Sequence, residues 1–302
     1  MTLAFIACVE SGNLENQALL LFRSIRKFAG HYKDAPIYSF QPRRGAPLRK
    51  DTLNLFEALE VTHSTEVLNA EFHHYPIGNK VFASARAEEL LKEDILVFLD
   101  SDSVIVNEPR DLDLPAGTAT AVRPVDHKNR GSTGPSDPND GYWRRLYAIC
   151  GAPEAPFLET GVSAQKIRSY WNAGLLAVNR SEGLFQRWKD DFLKLMQAGH
   201  VPKGQITFMD QLALAATLAR VAERIRVLDP RYNYPLPKRP LLKEPYRTAE
   251  LDSLIHIHYH RWFNKPGFLS LVSPPLNNRS PVYNWLSSWL PFQPTIDDPL
   301  RF

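Results

Sequence analysis

The run Ile95-Leu96-Val97-Phe98-Leu99, closed by Asp100-Ser101-Asp102, constrains this chain more than any other segment. Five consecutive apolar residues fit a strand buried on both faces, as in a parallel sheet covered by helices on each side. Two carboxylates follow at alternate positions, so in extended chain both point to one side. Neighbouring like charges are costly unless a positive group lies between them. A hard divalent cation with oxygen ligands fits there, together with the phosphates that such an ion carries. The alternative is a pair of solvated loop acids, but ligands of open α/β sheets sit beyond the carboxyl ends of strands, which is where these two stand.

The flanking segments alternate in type. Leu3 to Val9 is expected as a first strand, and Asn13 as the cap of a helix from Leu14 to about Phe28 with Leu14, Ala18, Leu21, Phe22 and Ile25 on one face. A strand over 35–40, a helix over 51–58, a short strand over 60–63 and a helix over 79–92 follow. Strands alternating with helices indicate a doubly wound, mostly parallel α/β sheet flanked by helices. The stretch from Arg123 to Tyr170 reads as one long polar loop, and its part from Asp126 to Tyr142 as a segment that closes over the site or reads an acceptor. Trp171 to Asn179 reads as a turn leading into a buried strand, with Gly174 letting backbone approach a ligand and Asn172 offering hydrogen bonds. Ser181 caps a helix to Ala198, a further helix spans 208–224, and strands are expected over 225–228 and 254–259. No linker breaks the chain, so one domain over 1–267 with a C-terminal extension over 268–302 packed on it is the expected organisation.

Hydrophobic residues make up 44% of the 302, enough for a core, and the formal net charge of +3 comes without any Lys/Arg block, which argues against nucleic acid as a partner. Two cysteines, Cys8 and Cys150, make neither a disulfide framework nor a cysteine zinc site and suit a reducing, cytoplasmic setting. No basic leader and no membrane-length apolar stretch is visible. Trp285, Leu286, Trp289, Leu290 and Phe292 recur at helical spacing, which suits core packing and leaves membrane contact at most peripheral.

His256, His258 and His260 share one face if their segment is a strand. One of them completes the coordination of Mn²⁺ or Mg²⁺ held by Asp100 and Asp102, and an imidazole favours manganese. A zinc site made of all three is the rival, although same-face strand neighbours rarely converge on one tetrahedral ion without a bend. Asp210, near a helix start, is either an acid favoured by the helix dipole or a group that meets substrate.

Together these segments resemble the GT-A nucleotide-sugar glycosyltransferases, and among them family eight, the glycogenin and galactosyltransferase-like enzymes. Four segments carry the likeness: Phe98-Leu99-Asp100-Ser101-Asp102, the preceding helix with Lys80 and Arg86, Trp171-Asn172-Ala173-Gly174 followed later by Asp210-Gln211, and His258-Tyr259 with Lys265-Pro266. The resemblance runs from the first strand to about Gly267. It implies a GT-A, Rossmann-like fold and transfer of a sugar, with retention, from a nucleotide-diphosphate donor, most simply UDP-linked, to a carbohydrate, glycoside or lipid-linked acceptor. It implies Asp100, Asp102 and His258 as metal ligands. Cys8, Val9 and Glu10 would stand beside the nucleobase, Lys80, Arg86 and Lys265 near the diphosphate, and Ser101, Asn172, Ala173, Gly174, Asp210 and Gln211 near the sugar. Lys80, Asp210 and Gln211 are the candidates for catalysis. His260-Arg261-Trp262-Phe263-Asn264 departs from the family's glycine-containing turn, which bears on the Lys265 contact and on which histidine ligates.

In that chemistry the anomeric C–O bond breaks only if the leaving diphosphate is stabilised as charge builds on it, which a divalent ion and a lysine or arginine supply. Were the reaction to invert, Asp210 or Glu159 would be the base. The rival functions are a catalytically inactive nucleotide-sugar-binding domain of the same fold, a sugar-phosphate nucleotidyltransferase and a zinc hydrolase. Glu10-Ser11-Gly12-Asn13-Leu14-Glu15 lacks the glycine-rich basic loop that the nucleotidyltransferase needs.

Overall fold

The computed structural model describes residues 1–202 and 208–292. Its strands are β1 (Leu3–Cys8), β2 (Ile37–Phe40), β3 (Val61–Ser64), β4 (Ile95–Leu99), β5 (Ser103–Ile105), β6 (Thr120–Pro124), β7 (Phe157–Glu159), β8 (Lys166–Arg168), β9 (Trp171–Asn179), β10 (Ile225–Val227), β11 (Tyr234–Pro235) and β12 (His256–His258). Its helices are α1 (Asn13–Phe28), α2 (Lys50–Ala58), α3 (Asn79–Leu90), α4 (Asp140–Cys150), α5 (Leu184–Gln197), α6 (Met209–Ala219), α7 (Phe268–Leu271) and α8 (Pro281–Ser287).

Seven strands form the central sheet in the order β10-β6-β9-β4-β1-β2-β3. All neighbours run parallel except β9, which lies antiparallel between β4 and β6. Because the side-chain period is two, β1 feeds both faces. Leu3, Phe5 and Ala7 join a core built with Phe22 and Ile25 of α1 and Phe56 of α2. Ala4 and Ile6 join the opposite core with Val81 of α3, Trp188 of α5 and Leu212 of α6. Every residue of β4 is buried, as its unbroken apolar run requires. A three-stranded sheet, β11-β12-β5, sits at the carboxyl end of the large one and brings Ile257 and Val104 into a third core with Phe263, Phe268 and Leu286. Among the described residues no helix is long and apolar enough to cross a membrane.

Several local expectations need correction. The cap of α1 is Gly12, not Asn13. The Gly12 backbone donates to Glu15 Oε1 at 3.0 Å, and the other Glu15 oxygen accepts from Arg49 N at 2.9 Å, so a buried acid one turn in does the work of the cap. The long loop over 123–170 holds α4 and the β7–β8 hairpin. Asp140 anchors that region, its Oδ1 accepting from Arg168 Nε at 2.7 Å and from Ser132 Oγ at 2.8 Å. Asn172, Ala173 and Gly174 are not a turn but the first part of β9, with the irregularity placed opposite them, between Val122 and Arg123 of β6. Ser181 belongs to a short 3₁₀ turn, and α5 begins after Gly183, whose φ of 64° breaks the path. Helix α6 ends at Ala219 rather than Arg224, and the histidine strand spans only residues 256–258. The aromatic stripe packs inward in part: Leu286 is buried and Trp285 stands edge-on to Phe28 at 5.1 Å, while Arg23 covers Trp289 at 4.1 Å.

Candidate active site

A cleft of about 510 Å³ opens at the carboxyl ends of β1 and β4. Since β9 runs the other way, its amino end reaches the same edge: Leu99 pairs with Leu175, and Asp100 N donates to Gly174 O at 2.9 Å. Antiparallel pairing of β5 with β12 sets Ser103 opposite His258, and Tyr259 N donates to Asp102 O at 3.1 Å. Two acids separated only by Ser101 thus face different neighbours. Asp100 turns toward α3 and α6, and Asp102 toward the histidines.

Asp102 Oδ1 lies 3.1 Å from His258 Nε2, and Asp102 Oδ2 lies 3.8 Å from His260 Nδ1. One ligating atom from each of these three residues falls within 4.8 Å of the others. Such a set of one carboxylate and two imidazoles suits a divalent ion. His258 Nδ1 meets Asn233 Oδ1 at 3.0 Å. The amide oxygen only accepts, so Nδ1–H donates to it, which leaves Nε2, on the Asp102 side, as the ring atom that would meet a metal ion. His256 is otherwise engaged. Asn233 N donates to its Nδ1 at 3.2 Å, and its Nε2 donates to Ser103 Oγ at 2.8 Å. Complete burial lowers its pKa to about 3 and keeps it neutral. Desolvation pushes the half-buried Asp102 carboxyl up, but the His258 imidazole beside it outweighs that and holds it well below the usual carboxylate range.

Lys80, in the first turn of α3, places Nζ 2.6 Å from Asp100 Oδ1 and 3.8 Å from Asp210 Oδ2. Burial disfavours its charge, yet the two carboxylates outweigh burial and hold its pKa up at about 12. Asp210 opens α6 and is buried. Its Oδ1 accepts from the Tyr75 hydroxyl at 2.9 Å, its carbonyl accepts from Trp188 Nε1 at 2.7 Å, and Oδ2 has no hydrogen-bond partner. Desolvation raises the Asp210 pKa, with Lys80 opposing it.

The Rhodobacterales glycosyltransferase domain family matches residues 5–222, most of the chain. The chain belongs to that family. No curated protein matches it by sequence. Among solved structures it is similar to the galactosyltransferase LgtC in complex with donor and acceptor sugar analogues, with a TM-score of 0.54 and 14% identity over 97% of this chain and 98% of that one. It is also similar to the bifunctional glycosyltransferase WbbM, with a TM-score of 0.53 and 15% identity over 96% of this chain. A third is GlyE of Streptococcus pneumoniae, with a TM-score of 0.50 and 14% identity over 86% of this chain. The chain spans about half the length of WbbM and of GlyE, 52% and 55%. At these identities the likeness is one of fold, and the fold is GT-A.

In this glycosyltransferase the cleft is lined by Cys8, Lys80, Asp100, Ser101, Asp102, Asn172, Gly174, Asp210, Gln211, His258 and His260, which the sequence had offered as candidates. Val9 and Ala173 are buried next to it in the core. Two basic candidates lie elsewhere. Arg86 is taken by Glu66 at 2.9 Å and Glu89 at 3.1 Å, and Lys265 Nζ sits over the Trp262 ring at 5.3 Å. The Cys8 thiol is pushed up strongly, by burial first and Glu10 second, and stays protonated. Glu10 is clamped by Arg43 Nε at 2.7 Å and by Asn79 Nδ2 at 2.8 Å.

Asp126 and Asn129, from the start of the segment that the sequence offered as closing over the site, do line the cleft, as do Arg261 and Asn264, and Asp126 holds Lys238 Nζ at 3.0 Å. Lys238, Tyr75 and Asn233 were not singled out by sequence reasoning. Tyr75 and Asn233 orient Asp210 and His258 from behind. No motif marks them. Asn233 sits in irregular chain with a φ of 45°, and the only local signal was its place ahead of the proline-rich stretch.

Proposed function

We propose that this glycosyltransferase, a relative of family eight, transfers a sugar from a UDP-sugar to a carbohydrate, glycoside or lipid-linked acceptor, with anomeric retention and with Mn²⁺ or Mg²⁺ bound. The observation that carries the reading is the meeting, in one cleft at the carboxyl edge of the sheet, of Asp102 and His258 with a half-buried, charged Lys80. Asp102 and His258 would hold the ion, which when bound would neutralise charge gathering on the leaving diphosphate, while Asp100, also expected as a ligand, is engaged by Lys80 at 2.6 Å. Lys80 offers a second positive charge whose cost of burial is already offset by Asp100 and Asp210. Asp210 Oδ2 has no hydrogen bond, only the Lys80 ammonium at 3.8 Å, and suits a hydroxyl donor of the sugar.

Retention is supported by the state of the acids lining the cleft. Glu10 is held by Arg43, Asp100 by Lys80, Asp102 by His258, Asp126 by Lys238, and Asp210 is buried behind Lys80. None is an open general base for an acceptor hydroxyl, and Glu159 lies on the β7–β8 hairpin outside the cleft lining. We take residues 1–267 as the catalytic unit and 268–302 as an extension, of which 293–302 lie outside the described residues; Phe292 N of the extension donates to Phe263 O of the unit at 3.1 Å. The free thiols Cys8 and Cys150 support a cytoplasmic setting. A panel of nucleotide sugars, assayed for hydrolysis and thermal stabilisation with and without Mn²⁺, tests the reading. A metal-dependent response to UDP-sugars is expected, and silence across the panel would overturn it.

A further inference from the structure

We propose that His260 is a second imidazole ligand, so that Asp102, His258 and His260 together take a first-row transition-metal ion in preference to Mg²⁺. The inference rests on the proposed function and specifies its metal. Four observations carry it. First, Asp100 is engaged by Lys80 at 2.6 Å, which leaves one carboxylate, not two, turned toward the histidines. Second, His260 Nδ1 is 3.8 Å from the oxygen of Asp102 that His258 leaves open, so each imidazole approaches its own carboxylate oxygen. Third, His260 has a φ of 53°, a left-handed conformation that L side chains rarely adopt. That bend turns a ring directly after β12 back onto His258, their centroids 4.1 Å apart, and it is the break from strand geometry without which same-face histidines do not converge. Fourth, His256, the remaining candidate, has both ring nitrogens committed to Asn233 and Ser103.

The chemistry follows from the donor set. Mg²⁺ is hard and favours oxygen, whereas each added imidazole moves preference toward Mn²⁺ and the later ions. Neighbouring ligands around an ion at roughly 2.1 Å stand about 3 Å apart, close to the 3.1 Å between His258 Nε2 and Asp102 Oδ1. The cleft side of the cluster stays open for diphosphate oxygens.

The test is electron spin-echo modulation of Mn²⁺ on the full chain, alone and with UDP, together with calorimetric titration of Mn²⁺ and Mg²⁺. Wild type is expected to show two coupled imidazole nitrogens and His260→Ala one. The substitution is expected to weaken Mn²⁺ about tenfold or more while changing Mg²⁺ much less. A single imidazole in the wild-type spectrum overturns the proposal, even with Mn²⁺ and UDP bound, and leaves the proposed function standing. An unchanged Mn²⁺/Mg²⁺ ratio in His260→Ala also overturns it. Failure of both ions to bind, with or without UDP, overturns both readings. Thermal melting of the metal-free variant checks its fold; should it not fold, the wild-type spectrum and His260→Asn decide.

Discussion

Gly174 has no side chain because His258 occupies that space. A Cβ built there would stand 2.9 Å from two atoms of the His258 ring and 3.1 Å from Asn172 Oδ1, on a strand whose backbone is paired on both sides. Neither neighbour moves freely, since His258 is tied to Asn233 and Asn172 Oδ1 accepts from Gly174 N at 2.9 Å. Gly174→Ala is therefore expected to cost roughly 1–3 kcal/mol by overpacking and to push the imidazole from its place. Calorimetry should show Mn²⁺ binding weakened about tenfold; unchanged affinity would show that the ring is not fixed by this contact. At this scale the sequence was informative where residue type alone limits the options. Gly174 was read as a point of close approach, and the approaching group is a histidine 84 positions later. That partner was not legible, because nothing local to either residue records the pairing of β5 with β12.

Helix α5 shows the same limit for whole elements. Its cap residue, Gly183, has no side chain to offer, and the first backbone N–H groups, of Phe185 and Gln186, donate instead to the Glu88 carboxylate on α3 at 3.1 and 2.8 Å. Ser181 looked like the cap by composition, but its backbone N–H donates to Asn179 Oδ1 at 3.2 Å one turn too early. Glu88→Ala is expected to destabilise by about 1–2 kcal/mol, read as a lower urea midpoint with an unchanged slope; no shift would mean that water replaces the carboxylate. Strand β3 carries a pH-dependent term. His63 meets Ser39 Oγ at 2.9 Å and burial lowers its pKa. Below the ordinary imidazole value the unfolded chain takes up a proton that the folded chain refuses, so this contribution is present at pH 7 and is lost as pH falls through about 6.5. Melting temperature should fall less steeply between pH 7 and 5 in His63→Phe than in wild type, and parallel slopes would remove His63 from the account. Buried strands were legible because their composition admits no other placement. Helix α4 was not, because Asp140, Gly141 and the glycines and prolines before it have the composition of a loop, and the helix is held by Arg168 and Ser132 from outside it.

For the molecule as a whole, the cleft is a product of sheet order. β4 lies beside β1 on one side and the antiparallel β9 on the other, so the ends of three strands distant in sequence share one edge. Onto that edge α3 delivers Lys80, α6 delivers Asp210, and the small sheet delivers His258. The doubly wound, mostly parallel sheet was legible from the alternation of strands and helices, and the GT-A architecture only from the resemblance carried by Asp100-Ser101-Asp102, Asn172-Ala173-Gly174, Asp210-Gln211 and His258. The division of labour between those acids was not, since Asp100 meets a lysine 20 residues upstream and Asp102 meets histidines more than 150 residues downstream. The central claim is that this cleft binds a nucleoside diphosphate through a divalent ion held by Asp102 and His258. Calorimetric titration of UDP into the protein, with Mn²⁺ and with chelator, measures it directly. The account expects binding with Mn²⁺ that is lost in chelator and in Asp102→Asn, while UDP binding of equal strength under all three conditions would contradict it.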